Sequence, residues 1–278
     1  MSRSRNRPPH LETRPGPQAA APPPSLPEQL TRAHVAGRGA APGPSELRRL
    51  VERAAEHEPG VLLDDAWIEV ESVYGATLAS PVIDPNRTIG AARGAVRHIV
   101  DVASTGAPIA LATSRPASLL TFYLALARLA RISGGEVVDD EDSNPFRVDG
   151  RAARAIRWVD GVAMVTDGEA LCGTRGLEAP QEWLFLMARP ALVIADGPYA
   201  DAALDAGLDV IAFGGLEHCS LAVGRRRGQR CLVVPLWTDR EPAAYRPLIE
   251  AALAAALEPP DMHDPSASSP DPSANGVG

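Results

Sequence analysis

From residue 81 onward the chain alternates between two hydrophobic rhythms. Short, nearly continuous apolar runs cover Ile109 to Ala112, Glu136 to Asp140, Ala155 to Val159, Val162 to Thr166, Ala191 to Ala195, Asp209 to Phe213 and Cys231 to Pro235. Between them lie longer stretches whose apolar residues return every three or four positions. Thr88 to Ser104 carries Ile89, Ala92, Val96, Ile99 and Val100 on one stripe. The stretch after Pro116 carries Leu119, Leu120, Tyr123, Leu124, Leu126, Ala127 and Ala130. The first rhythm predicts buried strands and the second amphipathic helices. Glu178 to Arg189, Pro198 to Ala206, Leu221 to Gly224 and Ala243 to Leu257 complete the helical set. Asp160-Gly161 between two strand runs reads as a hairpin turn, or else only the second of those runs is a core strand. Strand and helix in alternation predict an α/β domain over residues 81–257. It is Rossmann-like, with a mainly parallel sheet of five or six strands and helices on both faces.

Ahead of this domain the pattern is helical. Leu30 to Gly39, Leu47 to His57 (with Ser45 as its N-cap) and Val61 to Tyr74 make residues 28–80 an N-terminal helical appendage. Residues 1–27 and 258–278 are rich in Pro, Ala, Ser and charge with no apolar period, and read as disordered tails.

Composition narrows the partners. The 45% apolar content supplies a sizeable core, but only 4% is aromatic, so that core is built of Ala, Val, Leu and Ile. The 27 basic residues are all arginine, since the chain has no lysine. A net charge of -8 argues against general nucleic-acid or anionic-membrane binding and leaves small anionic ligands open. Three cysteines without CxxC spacing indicate neither a zinc site nor a disulfide framework, which fits a reducing, cytoplasmic setting. No apolar run approaches the ~20 residues of a membrane span, and no signal peptide is recognisable.

The candidate chemistry lies where the apolar runs stop. Asp84, Thr113 with Ser114, Asp139 with Asp140, Asp167 and Asp196 each follow a run, and in a parallel sheet those ends share one edge. For any one of these acids, helix capping or solvation is the better-supported reading; the functional reading rests on the set. At Thr113-Ser114-Arg115-Pro116 a strand passes through a polar turn into a helix. Free helix-start amides and the Arg115 side chain favour an anion there, phosphate above all. Asp196-Gly197-Pro198 is a second such turn, with Gly197 offering backbone N–H. His218 beside Cys219 follows the Gly214-Gly215 strand end, but residues adjacent in sequence seldom face each other, and no catalysis is assigned to the pair. Gly173-Thr174-Arg175-Gly176 resembles a phosphate loop without a strand directly before it, and Gly224 to Gly228 is an arginine patch read as a solvated turn.

In motif order the chain resembles the haloacid dehalogenase superfamily. Ile83-Asp84-Pro85-Asn86-Arg87-Thr88 stands for its first motif, Leu111 to Pro116 for its second, and Ile194 to Asp201 for its last. The resemblance implies Asp84 as a catalytic nucleophile, Thr113 as a catalytic and phosphate-binding hydroxyl, and Ser114, Arg115 and Gly197 as further phosphate-binding positions. It implies Asp84 and Asp196 as ligands of Mg²⁺. The sequence departs from the pattern at Asn86, where a second aspartate is expected, and at the basic position, where Arg154, Arg157 or Arg189 replaces a lysine. Residues 30–250 also resemble a little-characterised actinobacterial family labelled phosphatase, through Ile83 to Thr88, Arg115 to Ala127, Ala195-Asp196-Gly197, Val234-Pro235-Leu236 and Tyr245 to Leu248. These likenesses imply hydrolysis of a small phosphorylated metabolite. The residues alone leave open a non-catalytic module that binds an anionic metabolite, or a lyase or hydratase acting on a carboxylated one.

Overall fold

The computed structural model describes residues 23–39, 41–140, 142–148, 152–223 and 231–257. Both tails lie almost entirely outside this range, as does the arginine patch at 225–227.

Three helices open the described chain: α1 (Leu26–Arg32), α2 (Pro44–His57) and α3 (Leu63–Tyr74). Helix α2 begins two residues earlier than Ser45 as N-cap would set it. Gly43 is its N-cap and Pro44 occupies the first helical position, where a missing N–H costs nothing and φ is already helical. Helix α4 (Pro85–Ala103) leads into β1 (Pro108–Ala112), α5 (Pro116–Ile132) and β2 (Glu136–Val137). Strands β3 (Phe146–Val148), β4 (Ala152–Val159), β5 (Val162–Thr166) and β6 (Leu171–Cys172) follow. Helix α6 (Glu178–Leu186), β7 (Leu192–Asp196), α7 (Gly197–Asp205), β8 (Val210–Gly214), α8 (Ser220–Val223), β9 (Cys231–Pro235) and α9 (Arg246–Leu257) close the described chain.

Among the described residues the strands form one nine-stranded mixed sheet, larger than the five or six strands expected. Its central part, β5-β1-β7-β8-β9, is parallel throughout. β2 and β5 divide one edge of β1 between them. Glu136 and Val137 pair with Pro108 and Ile109, and Val162 and Ala163 pair with Leu111 and Ala112. The surplus strands are antiparallel: β4 pairs with β5, β3 with β4, and β6 with β5. The Asp160-Gly161 hairpin forms as expected, with φ of 52° and 80°, both positive as a tight two-residue turn requires.

Burial explains the unbroken apolar runs. Ile109 to Ala112, Leu192 to Ala195 and Ile211 to Ala212 are fully buried, because helices cover the sheet on both faces. Helices α4, α5 and α9 pack on one another and on β1, β2, β5 and β9. Helices α6 and α7 pack together against β3, β4, β7 and β8. The chain leaves β1 through α5 toward β2 and leaves β7 through α7 toward β8, in opposite directions along the sheet. Right-handed crossovers in opposite directions put those two helices on opposite faces. The N-terminal helices join this core. Leu30, Leu47, Val51, Val70 and Tyr74 belong to the same buried cluster as the strands. Each such leucine adds about 1.5–3 kcal/mol relative to exposure.

The reversal of direction between β1 and β7 makes their carboxyl ends a topological switch point, the place where open α/β sheets bind ligands. Thr113 and Asp196 stand there.

The hairpin turn also sets a tight tolerance on the sheet. A Cβ at Gly161 would come within 2.3 Å of Val137 Cγ1. Gly161→Ala is expected to lower unfolding free energy in urea by about 2 kcal/mol, from forced positive φ plus overlap with β2. An unchanged midpoint would contradict this packing.

Candidate functional site

The Asp196 carboxylate is the centre of the site. It ends β7 and is the N-cap residue of α7, yet its side chain makes no capping bond. It turns instead toward the end of β1. Thr113 Oγ1 donates to Oδ2 at 2.5 Å, Ser114 N donates to Oδ1 at 2.9 Å, and Ser114 Oγ donates to Oδ1 as well. Thr113, Ser114 and Asp196 are all buried. Burial raises the Asp196 pKa above the ordinary carboxylate range, and the donors from Ser114 and Thr113 oppose the rise without cancelling it. Two tyrosines flank the carboxylate. Tyr123 on α5 and Tyr199 on α7 are fully buried, and neither hydroxyl makes a hydrogen bond of ordinary geometry. Burial is the main reason both phenols are pushed up, and the Asp196 charge adds to it.

Arg115 connects this network to solvent. Its backbone N–H donates to Thr113 Oγ1 at 3.1 Å, and its carbonyl accepts from Ser118 and Leu119 to start α5. The half-buried side chain makes no hydrogen bond or ion pair among the described residues. Its charge acts on Glu217 and His218.

Gly197 is the point of closest approach. Its φ is +49°, and a Cβ there would lie 2.9 Å from Ser114 Oγ and 3.5 Å from His218 Cε1. Only glycine lets Ser114 and His218 close on the start of α7 from two sides. Thr174 N donates to the Ser114 carbonyl at 3.2 Å, so the Gly173–Gly176 loop borders the site. This loop does follow a strand, β6, contrary to the expectation from sequence.

Thr113, Ser114, Arg115, Asp196 and Gly197 therefore come together as expected. Asp84 stands elsewhere. No sheet strand ends at it: Ile83 makes an isolated bridge to Gly37, and Asp84 is the N-cap of α4, accepting from Asn86 N at 2.8 Å. Its N–H donates to the Tyr74 carbonyl, and the Tyr74 hydroxyl donates to the His218 carbonyl at 3.2 Å. No hydrogen bond joins Asp84 directly to Thr113, Ser114 or Asp196 among the described residues; the link runs through Tyr74 and the His218 backbone. Asp139 and Asp167 are exposed, the first paired with Arg131 and the second accepting two turn amides after β5. The three arginines proposed for the basic position are engaged away from Asp196. Arg154 pairs with Asp167, Arg157 pairs with Asp142, and Arg189 donates to the Gly207 carbonyl beyond the far end of α7.

Asp84 and Asp196 are the two carboxylates expected to hold Mg²⁺. The Asp196 oxygens are occupied by hydroxyl and amide donors, and the Asp84 carboxylate serves its own helix. Among the described residues no group of three or more His, Cys, Asp or Glu side chains is placed to hold a metal ion. Such a group is more than Mg²⁺ requires, since that ion is commonly held by one or two carboxylates together with substrate phosphate.

A family model described as Phosphatase matches residues 24–258, which spans the helical N-terminus and the whole sheet. The chain belongs to the Phosphatase family. No curated protein matches it. In this phosphatase-family chain the match begins at α1, in keeping with the single core that α1–α3 share with the sheet. No helix among the described residues is long and apolar enough to cross a membrane.

Sequence reasoning named His218 beside Cys219 but assigned the pair no catalysis; the structure sets the His218 ring against Gly197. Its signal was the Gly214-Gly215 exit from β8, a strand that pairs with β7 at Asp196↔Phe213 and so brings its own exit beside the site.

Helix α7 carries a titrating group behind this site. Burial and the neighbouring Asp205 push the Asp201 carboxyl up to about 6. A folded-state value above the unfolded one means its contribution is complete at low pH and is lost as pH rises through about 6. Asp201→Asn, which cannot ionise, is expected to gain about 2 kcal/mol over the unsubstituted protein at pH 8 and little at pH 4. Urea unfolding at both pH values checks this; an equal effect at both would contradict the raised pKa of the half-buried Asp201 carboxyl.

Proposed function

We propose that the chain hydrolyses the phosphate ester of a small metabolite in the crevice between the ends of β1 and β7. Family membership supports phosphate chemistry. The Arg115 guanidinium carries the reading furthest. It is half-buried and makes no hydrogen bond or ion pair among the described residues, beside a network in which Thr113, Ser114 and Asp196 satisfy one another. A dianionic phosphoryl group is the natural complement of a planar guanidinium between two helix starts.

The division of labour follows from the protons. The Thr113 and Ser114 hydroxyls direct theirs at Asp196, so they fix the shape of the turn rather than donate to phosphate. Binding falls to Arg115 and to the backbone at Gly197 and the start of α5. The Asp84 carboxylate, engaged at the α4 cap, has no step in this proposal. The expectation of Mg²⁺ dependence is carried into the assay as a variable.

p-Nitrophenyl phosphate and a panel of phosphorylated metabolites, each with Mg²⁺ and with EDTA, test the reading. Turnover is expected. Arg115→Ala should reduce kcat/KM by about 10–100-fold, the equivalent of one charge-assisted hydrogen-bonding group. Asp84→Ala should leave kcat/KM within about threefold and lower stability by about 1 kcal/mol through the lost helix cap. A protein inert to every ester in both conditions would end the proposal. The enclosure of Asp196 and the commitment of both hydroxyls favour a second reading, a module that binds an anionic metabolite without turnover. Stabilisation by inorganic phosphate without product would support it.

A further inference from the structure

We propose that His218 is a catalytic residue, the general base that takes the proton of the water attacking the Arg115-bound phosphoryl group. The inference rests on the phosphatase reading above and adds the group that handles the proton.

The geometry carries it. His218 follows the exit of β8 and is separated from the exit of β7 only by glycine. Its ring packs against Gly197, where a Cβ would lie 3.5 Å from Cε1 and 3.7 Å from Nε2, and against Gly214, where a Cβ would lie 3.1 Å from the histidine Cβ. Side chains at either position would push the ring away. Its backbone is anchored from the other side, since the Tyr74 hydroxyl donates to its carbonyl. The ring nitrogens make no hydrogen bond among the described residues, so the imidazole is positioned and uncommitted. Ser114 Oγ faces the same glycine, which puts the imidazole beside the Thr113–Ser114–Asp196 network and next to the guanidinium proposed to hold phosphate.

The charged groups facing the ring are Asp196 from the end of β7 and Arg115 from the turn before α5. Glu217 precedes it on its own turn. Burial, with Arg115 in support, lowers the His218 pKa, while Asp196 opposes the shift. A neutral imidazole at neutral pH is the form a general base requires.

The step balances without a co-reactant. The water oxygen bonds to phosphorus as its proton passes to the imidazole. The bond between phosphorus and the ester oxygen breaks, leaving the electron pair on that oxygen. The leaving alkoxide then takes the proton back from the imidazolium, so alcohol and inorganic phosphate leave and His218 returns to its neutral state.

The test uses the full chain with p-nitrophenyl phosphate. His218→Asn and His218→Gln are expected to lower kcat by about 10²–10⁴-fold with KM changed little, and to remove the acidic limb of the kcat–pH profile. Added imidazole should restore part of the activity of His218→Ala. Unchanged kcat in a folded His218→Asn or His218→Gln variant, with the unsubstituted protein active, would overturn this inference and leave the phosphatase reading standing. Inactivity of the unsubstituted protein would overturn both. If the variants do not fold, the unsubstituted protein decides. Inorganic phosphate should shift the His218 Cε1–H NMR resonance, and its absence from the responding signals would place the histidine outside the site.

Discussion

A carboxylate removed from water needs nearly as many donors as it loses, and in this fold that requirement ties the two halves of the sheet together. Leaving Asp196 buried without Thr113 and Ser114 would cost several kcal/mol. The donors come from the end of β1 and the acceptor from the end of β7, about 80 residues later in the chain. The network therefore exists only when β7 pairs with β1 in register, Ala112 opposite Ala195. Register, in turn, depends on the all-apolar strands being covered on both faces, which the N-terminal helices help to complete. The site and the fold are two descriptions of one constraint.

What this constraint leaves over is the functional part. Thr113, Ser114 and Asp196 satisfy one another and hold the turn rigid. Arg115, forced out of the strand by that turn and placed just before Pro116, makes no hydrogen bond or close ion pair among the described residues, although its charge is felt at Glu217. His218 reaches the same place from β8. A positive group and a positioned imidazole, beside a Thr113–Ser114–Asp196 network that is already paired, make up the anion site proposed above. The acidic balance of the whole chain does not oppose this, because the attraction is local.

The α/β alternation was legible because strands buried on both faces leave unbroken apolar runs, and Asp160-Gly161 was legible because a two-residue hairpin needs two positive φ angles. The Thr113–Arg115 turn was legible for the same local reason: strand, polar break and proline at a helix start lie within a few residues. Asp84 was misplaced because an acid before proline caps a helix as readily as it ends a strand, and only the absent sheet pairing separates the two. The antiparallel strands β3, β4 and β6 and the sharing of β1 by β2 and β5 enlarge the sheet in ways that alternation alone does not encode. Arg154, Arg157 and Arg189 could not be told from Arg115 by type. His218 was named but its placement was not legible, because its neighbour in space, Gly197, is 21 residues away in sequence and is brought close only by strand order.

The central claim is that an oxyanion binds between the ends of β1 and β7, against Arg115. A crystal structure of the full chain grown with tungstate tests it most directly. The anomalous signal of tungsten locates the anion without reliance on any assay. The account predicts one strong peak within hydrogen-bonding distance of the Arg115 guanidinium and beside His218 and Gly197. Peaks confined to other arginines on the surface, with the crevice at Asp196 empty, would contradict it.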